Sequence, residues 1–403
     1  MPQKTYNFYK QRRIAVFEPR PKLMTNPSLV SLIEAFTQNG AQVDVMMPVS
    51  ASYPSIDSRL ATRYPFPKQF SLWRGGIRET LRGWLDLREK FKQNQIDSMF
   101  TAGAYDLIIG VDSEGLIKGY EYAKRYKLPL VYLSFEIIFR DELRSRWEIE
   151  KKEEESIASQ FADLIIIQDK WRAELLTTEN RISPERIEYL PVSPRSSKRT
   201  PQSNHLRKRF NISERETIVL HSGTFAEFTC ASELLDSVSV WPEGFVLIIH
   251  TRYKPRKFDG HIRAIGKAML SNVFLSTDPL APEEYEKLVA SADIGLVLYK
   301  QVPPSPYEQK NIQTMGLSSG KFSYYMKYGL PVISIKQDTY AQLLNDYKFG
   351  ENIDSFEEMP KALKLIQTNY AYYSAEAKRL FSEKLSFDIH WPRLSARLLE
   401  VMK

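Results

Sequence analysis

Short apolar runs alternate with helix-patterned segments along almost the whole chain, and that alternation is what most limits the folds open to it. "RIAVFEP" (13–19) precedes "NPSLVSLIEAFTQNG", in which Leu29, Leu32, Ile33 and Phe36 fall at helical spacing. Gly40 stops that helix and "AQVDVMMP" opens the next strand. "YDLIIGVDS" (105–113), a helix, "LPLVYLSFE" (128–136) and "FADLIIIQDK" (161–170) continue the series. The pattern breaks into Pro, Ser, Arg and Lys over 190–210, then resumes with "ETIVLHSG" (216–223), "GFVLIIHT" (244–251), "NVFLSTDP" (272–279), "ADIGLVLY" (292–299) and "LPVISI" (330–335). Strands that are apolar on both faces and joined by helices form parallel, doubly wound sheets. The predicted fold class is therefore α/β, with two doubly wound, Rossmann-like domains facing a cleft. A chain of 403 residues is too long for one core, and the break at 190–210 sets domains of 1–195 and 196–385.

Composition narrows the function classes. With 43% hydrophobic and 26% charged residues the chain reads as a folded soluble protein. It has no run of about 18 apolar residues and its first residues lack the apolar core of a signal peptide, so a cytoplasmic location is expected. A single cysteine, Cys230, excludes an internal disulfide and a cysteine-rich metal site. A net charge of +7 favours anionic partners: phosphorylated substrates, a lipid surface or nucleic acid.

One stretch couples that charge to chemistry. "GLSSGKFSYYMKYGLPVIS" (316–334) runs from a small-residue loop into a helix and then a strand, with Lys321 where the helix begins. A helix N-terminus is already electropositive, so a lysine there is repelled unless an anion arrives. Ser318, Ser319 and Gly320 add hydroxyl donors and an approachable backbone, which together describe a phosphate or diphosphate seat. An ordinary loop with a solvated lysine is the plainer alternative. No Asp-x-Asp pair and no Gly-x-Gly-x-x-Gly occurs, so neither a carboxylate-held metal nor a bound dinucleotide is expected.

The ordered series "IVLHSGTF", "PLAPEEYEKLVASADIGLVLY", "GLSSGKFSYYMKYGLPVIS" and a late "FDIHW", with "LPLVYLSFE" and "EEESIASQFADLIIIQD" before it, resembles the family-4 glycosyltransferases of GT-B architecture. The resemblance covers most of the chain. It implies a transfer of sugar from a nucleotide diphosphate donor to a glycan or lipid-linked acceptor, with retention of configuration and without a metal or other cofactor. It also implies donor binding on the C-terminal domain, acceptor binding on the N-terminal one, and a C-terminal helix (386–403) packing back on the N-terminal domain. The departures from the pattern are specific. Tyr324 stands where relatives carry a carboxylate for the nucleotide ribose, and Gly316 stands where many carry a second one. The cationic pair after the first strand of the C-terminal domain is absent, with Arg252 and Lys254 as replacements or as loop charges. The N-terminal loop "EPRPKLMTNP" has prolines in place of glycines, with Arg20 and Lys22 as its cations.

The remaining candidates follow from position. Glu136, at the end of "VYLSFE", is placed to orient or deprotonate an acceptor hydroxyl, or else to make a structural hydrogen bond. Asp112 and Glu114 read as helix caps. His221 lies at a strand end beside Gly223 and is the second catalytic candidate, a structural histidine being the alternative. Tyr307, Glu308 and Asn311 occupy a long loop leading to Lys321, placed to meet the donor sugar. Over 73–93, Trp73, Ile77, Leu81 and Trp84 share a face among arginines, which reads as peripheral membrane contact or as a packed surface helix. The leading expectation is a nucleotide-sugar-dependent glycosyltransferase, with Ser319, Gly320 and Lys321 on the diphosphate, Tyr324 at the nucleoside and Glu136 facing the acceptor. A scaffold that binds nucleotide sugar or a partner enzyme without turnover is the alternative. A nucleic-acid partner is not expected.

Overall fold

The computed structural model describes residues 8–20, 23–48, 58, 61–64, 93–101, 105–196, 203–252, 271–302 and 309–403. The chain divides into two compact units, Met1–Leu190 with Trp391–Lys403, and Pro191–His390. The expected segment 73–93 and the candidates Lys22, Lys254, Tyr307 and Glu308 lie outside the described residues, apart from Gln93.

In the first unit β1 (Arg13–Phe17), β2 (Gln42–Met46), β3 (Thr62–Tyr64), β4 (Leu107–Val111), β5 (Leu130–Leu133), β6 (Leu164–Ile167) and β7 (Ile187–Tyr189) form one sheet in the order β3-β2-β1-β4-β5-β6-β7. Every pair in it is parallel. Strands β4, β5 and β6 are buried along their whole length, as their unbroken apolar sequences require. The last helix, Phe387–Val401, belongs to this unit from Trp391 onward. Trp391 packs on Tyr9 and Phe36, and the Tyr9 hydroxyl donates to the Ser395 carbonyl at 3.1 Å.

In the second unit β8 (Thr217–Ser222), β9 (Phe245–His250), β10 (Val273–Ser276), β11 (Ile294–Val297), β12 (Val332–Ile335) and β13 (Gly350–Ile353) form a parallel sheet in the order β10-β9-β8-β11-β12-β13. The strand order reverses between β1 and β4 in one sheet and between β8 and β11 in the other. At such switch points the loops beyond the strand ends diverge and leave room for a ligand. β3, β7 and β13 are edge strands of three or four residues without an apolar run, which is why the alternation does not announce them. The break at 190–210 is also not wholly irregular, since His205–Phe210 is helical.

The two chain crossings are tied to each other. The Arg195 guanidinium meets the Asp388 carboxylate at 2.9 Å, and that carboxylate also accepts from the Ser196 amide at 2.7 Å. The Phe387 amide donates to the Pro194 carbonyl at 3.2 Å.

Helix Gly320–Tyr328 is seated on the second sheet through a glycine. A Cβ on Gly295, in β11, would lie 2.4 Å from the Tyr325 ring, so the ring rests on bare backbone. Gly295→Ala is expected to lower stability by about 1–3 kcal/mol, because Tyr325 is fully buried and has nowhere to move. Equilibrium denaturation of the variant against the parent measures this; an unchanged midpoint would show that the contact does not set the helix position.

Candidate functional site

Helix Gly320–Tyr328 ends on Gly329, in the left-handed conformation at φ 69°. Its start is left uncapped: the N-cap Ser319 makes no side-chain bond to the helix, because its hydroxyl pairs with the Tyr299 hydroxyl at 3.0 Å. The first amides of the helix therefore keep their donors for another partner. Beside them the Lys321 ammonium lies 4.7 Å from the centre of the Tyr299 ring and forms no ion pair among the described residues. Burial lowers its pKa to about 7, with only a small opposing influence from Cys230. Half the lysines then carry charge near neutrality, in a site whose helix end already favours an anion.

His221, near the end of β8, lies close enough to Lys321 for the lysine's charge to act on its ring. It is wholly buried, and burial first, then the charge of Lys321, lowers its pKa to about 3. Its Nε2 lies 3.2 Å from the Thr224 carbonyl, which can only accept, so Nε2 carries the proton. Nδ1 is left as a bare lone pair without a partner. His221 is thus a neutral acceptor at physiological pH and holds no proton to give from Nδ1. Gly223 follows it with φ 109°, and its amide is taken by the His250 carbonyl at 2.9 Å. Cys230 is buried, and burial raises its thiol to about 12, so it packs as an inert hydrophobe.

Tyrosines line the rest of the seat. The Ser222 hydroxyl lies 2.8 Å from that of Tyr285 and 2.9 Å from that of Tyr325. Tyr324 and Tyr285 meet edge to face with centroids 5.0 Å apart, and His250 lies 6.2 Å from the Tyr285 ring. Composition shows a high tyrosine count but not that several converge on one strand edge; Tyr285, Tyr299 and Ser222 therefore escape a linear reading.

The other sequence candidates divide. Arg252 follows β9 at the same sheet edge, and its charge acts on the Tyr285 hydroxyl. Asn311 is buried on the short helix Gln309–Gln313. Ser318 is occupied, its hydroxyl donating to the Met315 carbonyl at 2.5 Å within a 3-10 turn.

Glu136 belongs to the first unit. It lies three residues beyond β5 rather than at its end, and it pairs with the Arg20 guanidinium at 2.6 Å. Asp112 holds the turn that carries it: one carboxylate oxygen accepts from the Phe135 amide at 2.8 Å and the Glu136 amide at 3.1 Å. Asp112 itself sits at φ 52°, an uncommon backbone state for a residue with a side chain. Helix Asp112–Tyr126 takes no side-chain cap from it, so the capping role expected of Asp112 is replaced by a bridge between strand ends. Burial, then the neighbouring Glu136 charge, raises its pKa to about 6 despite the counteracting Arg20. The Arg20 guanidinium is in turn held charged by these carboxylates against its own burial.

Among the described residues no group of three or more histidine, cysteine, aspartate or glutamate side chains could hold a metal ion. Nor is any of their helices long and apolar enough to cross a membrane.

No protein-family model matches the chain. No curated protein matches it either. Solved structures do. The Anabaena protein HepE, in complex with UDP and glucose, is similar at a TM-score of 0.67 and 13% identity over 96% of this chain and 100% of that one. Sucrose-phosphate synthase from Thermosynechococcus elongatus matches at 0.66 and 14%, over 97% and 99%. A glycosyltransferase from Rickettsia africae matches at 0.67 and 9%, again over 97% and 99%. At these identities the likeness is one of fold, and the fold is the GT-B arrangement of two Rossmann-like α/β units.

The unpaired lysine generates a stability prediction. Its folded pKa lies below its unfolded one, so its charge costs stability most below pH 7, and the cost fades as pH rises from 7 towards 10.5. Lys321→Met is expected to stabilise the ligand-free protein by on the order of 1 kcal/mol or more at pH 6, with the gain shrinking by pH 9.5. Denaturation of both proteins across that range measures it. A loss of stability at pH 6 would mean that Lys321 has a structural anion partner.

Proposed function

We propose that the protein is a glycosyltransferase that moves a sugar from a nucleoside diphosphate to an acceptor hydroxyl. The observation that carries this reading is the uncapped N-terminus of helix Gly320–Tyr328 with Lys321 beside it, held against the Tyr299 ring and without an ion pair among the described residues. As the bond between the anomeric carbon and the diphosphate oxygen breaks, both bonding electrons stay on the diphosphate. Preorganised amides and a cation stabilise that charge without needing a metal. Of the neighbours with this fold, one is named a glycosyltransferase and another holds UDP and glucose, which supports the same donor class here. The retaining course and a glycan or lipid-linked acceptor follow from the sequence resemblance, and Glu136 is the group we assign to orient the acceptor hydroxyl.

A binding scaffold without turnover is favoured by one observation. Gly316 has φ 32°, and a Cβ there would lie 2.7 Å from the Thr339 side chain. A carboxylate is thus not merely missing at this position; the packing leaves no room for one.

Calorimetric titration with UDP, GDP, ADP and their sugar conjugates separates the readings. A transferase binds one nucleoside diphosphate and slowly hydrolyses its sugar conjugate, whereas a scaffold binds without hydrolysis. Lys321→Ala is expected to weaken binding about 10- to 100-fold, as for a lost charge-assisted bond. Unchanged affinity would remove Lys321 from the diphosphate.

The pH dependence has a defined sign. An anion raises the lysine's pKa, so binding takes up protons above pH 7, and affinity is expected to fall between pH 7 and 9 while staying flat between 6 and 7. A flat profile up to pH 9 would show that Lys321 titrates outside this range.

A further inference from the structure

We propose that Tyr285 is a specificity-determining residue of the donor site, its hydroxyl oxygen taking a hydrogen bond from an O–H or N–H of the nucleoside. The inference rests on the reading of Lys321 as a diphosphate seat and extends it to the nucleoside.

A chain of three hydroxyls runs in one direction from the Leu220 carbonyl to Tyr285. The Tyr325 hydroxyl lies 3.2 Å from the Leu220 carbonyl, which can only accept, so Tyr325 donates there. Its oxygen then accepts from the Ser222 hydroxyl at 2.9 Å. Ser222 has one proton and has given it, so at 2.8 Å it accepts from Tyr285. Each donor in the series is committed by the backbone carbonyl at its end. The Tyr285 hydroxyl, its own proton directed inward, presents only lone pairs to whatever meets it from outside.

The surroundings fit a nucleoside. Tyr285 is half-buried on helix Pro282–Val289 and meets Tyr324, which is three residues along the helix from Lys321. The two rings, 81° apart, make a right-angled aromatic corner. Such a corner offers one ring face for stacking a planar base and one edge against it. Arg252, whose charge acts on Tyr285, adds a cation on the same side. An inward-facing proton therefore favours ligand groups that donate, such as ribose hydroxyls or base N–H groups, and disfavours carbonyl acceptors at that point.

Tyr285→Phe keeps the ring and removes the acceptor. The test compares affinities of the variant and the parent for a nucleoside diphosphate and for inorganic pyrophosphate, which reaches the Lys321 seat but has no nucleoside. The expected result is an affinity about three- to tenfold weaker for the nucleoside diphosphate and unchanged for pyrophosphate. Because both ligands are read on the same folded variant, a general loss of stability lowers them together and leaves the ratio unmoved. An unmoved ratio in a protein that binds both ligands overturns the role of Tyr285 while leaving the diphosphate seat in place. A parent that binds neither overturns the donor-site reading itself, and this proposal with it. The 2′-deoxynucleoside diphosphate then distinguishes the two sources of the donor. A loss in the parent that disappears in Tyr285→Phe assigns the ribose hydroxyl, and an equal loss in both assigns the base.

Discussion

The second unit depends on a ring lying against bare backbone. Gly295, inside β11, lets Tyr325 settle onto the sheet, and Tyr325 belongs to the helix that begins at Gly320. With any side chain at that strand position the helix would stand off, and its first amides would leave the sheet edge. The same ring carries the hydroxyl that donates to Leu220 and fixes the proton order through Ser222 to Tyr285. One close packing contact thus sets both where the helix end lies and which way a hydrogen-bond chain runs.

Electrostatics then gives that edge its character. An electropositive helix terminus, a lysine held against an aromatic face and a histidine kept neutral by burial make an edge that, among the described residues, has surplus donors. In the ligand-free protein this arrangement is unfavourable, since a buried cation without a counter-ion costs stability. On the reading proposed above, an arriving diphosphate relieves that cost as it binds, and part of its affinity is stored in the free protein.

The first unit handles charge differently. At its sheet edge Glu136 pairs with Arg20, and Asp112 takes two backbone amides of the turn that carries Glu136. The left-handed backbone at Asp112 directs its carboxylate across to the neighbouring strand end instead of along its own helix. Strain at one residue thereby orders the loop of another. Elsewhere apolar strands supply the core of the sheet, and the buried Asp44 of β2 is paired with Arg13 of β1 at 2.6 Å.

Much of this was legible in the chain. The alternation of apolar runs and helical segments implied parallel doubly wound sheets because strands buried on both faces must be apolar throughout. Lys321 at a helix start also follows from local chemistry. Tertiary structure decided what depends on distant residues meeting. Ser319 is diverted from capping by Tyr299, 20 residues earlier, and Ser222 reaches Tyr285 and Tyr325, 63 and 103 residues away. Asp112 is drawn from a cap to a bridge by amides more than 20 residues on. The edge strands β3, β7 and β13 exist only because a neighbouring strand offers them a ladder. Periodicity records which side of an element is buried; it carries no record of which remote hydroxyl or amide will complete a buried polar group, because that choice is made only when the sheet brings the strand ends together.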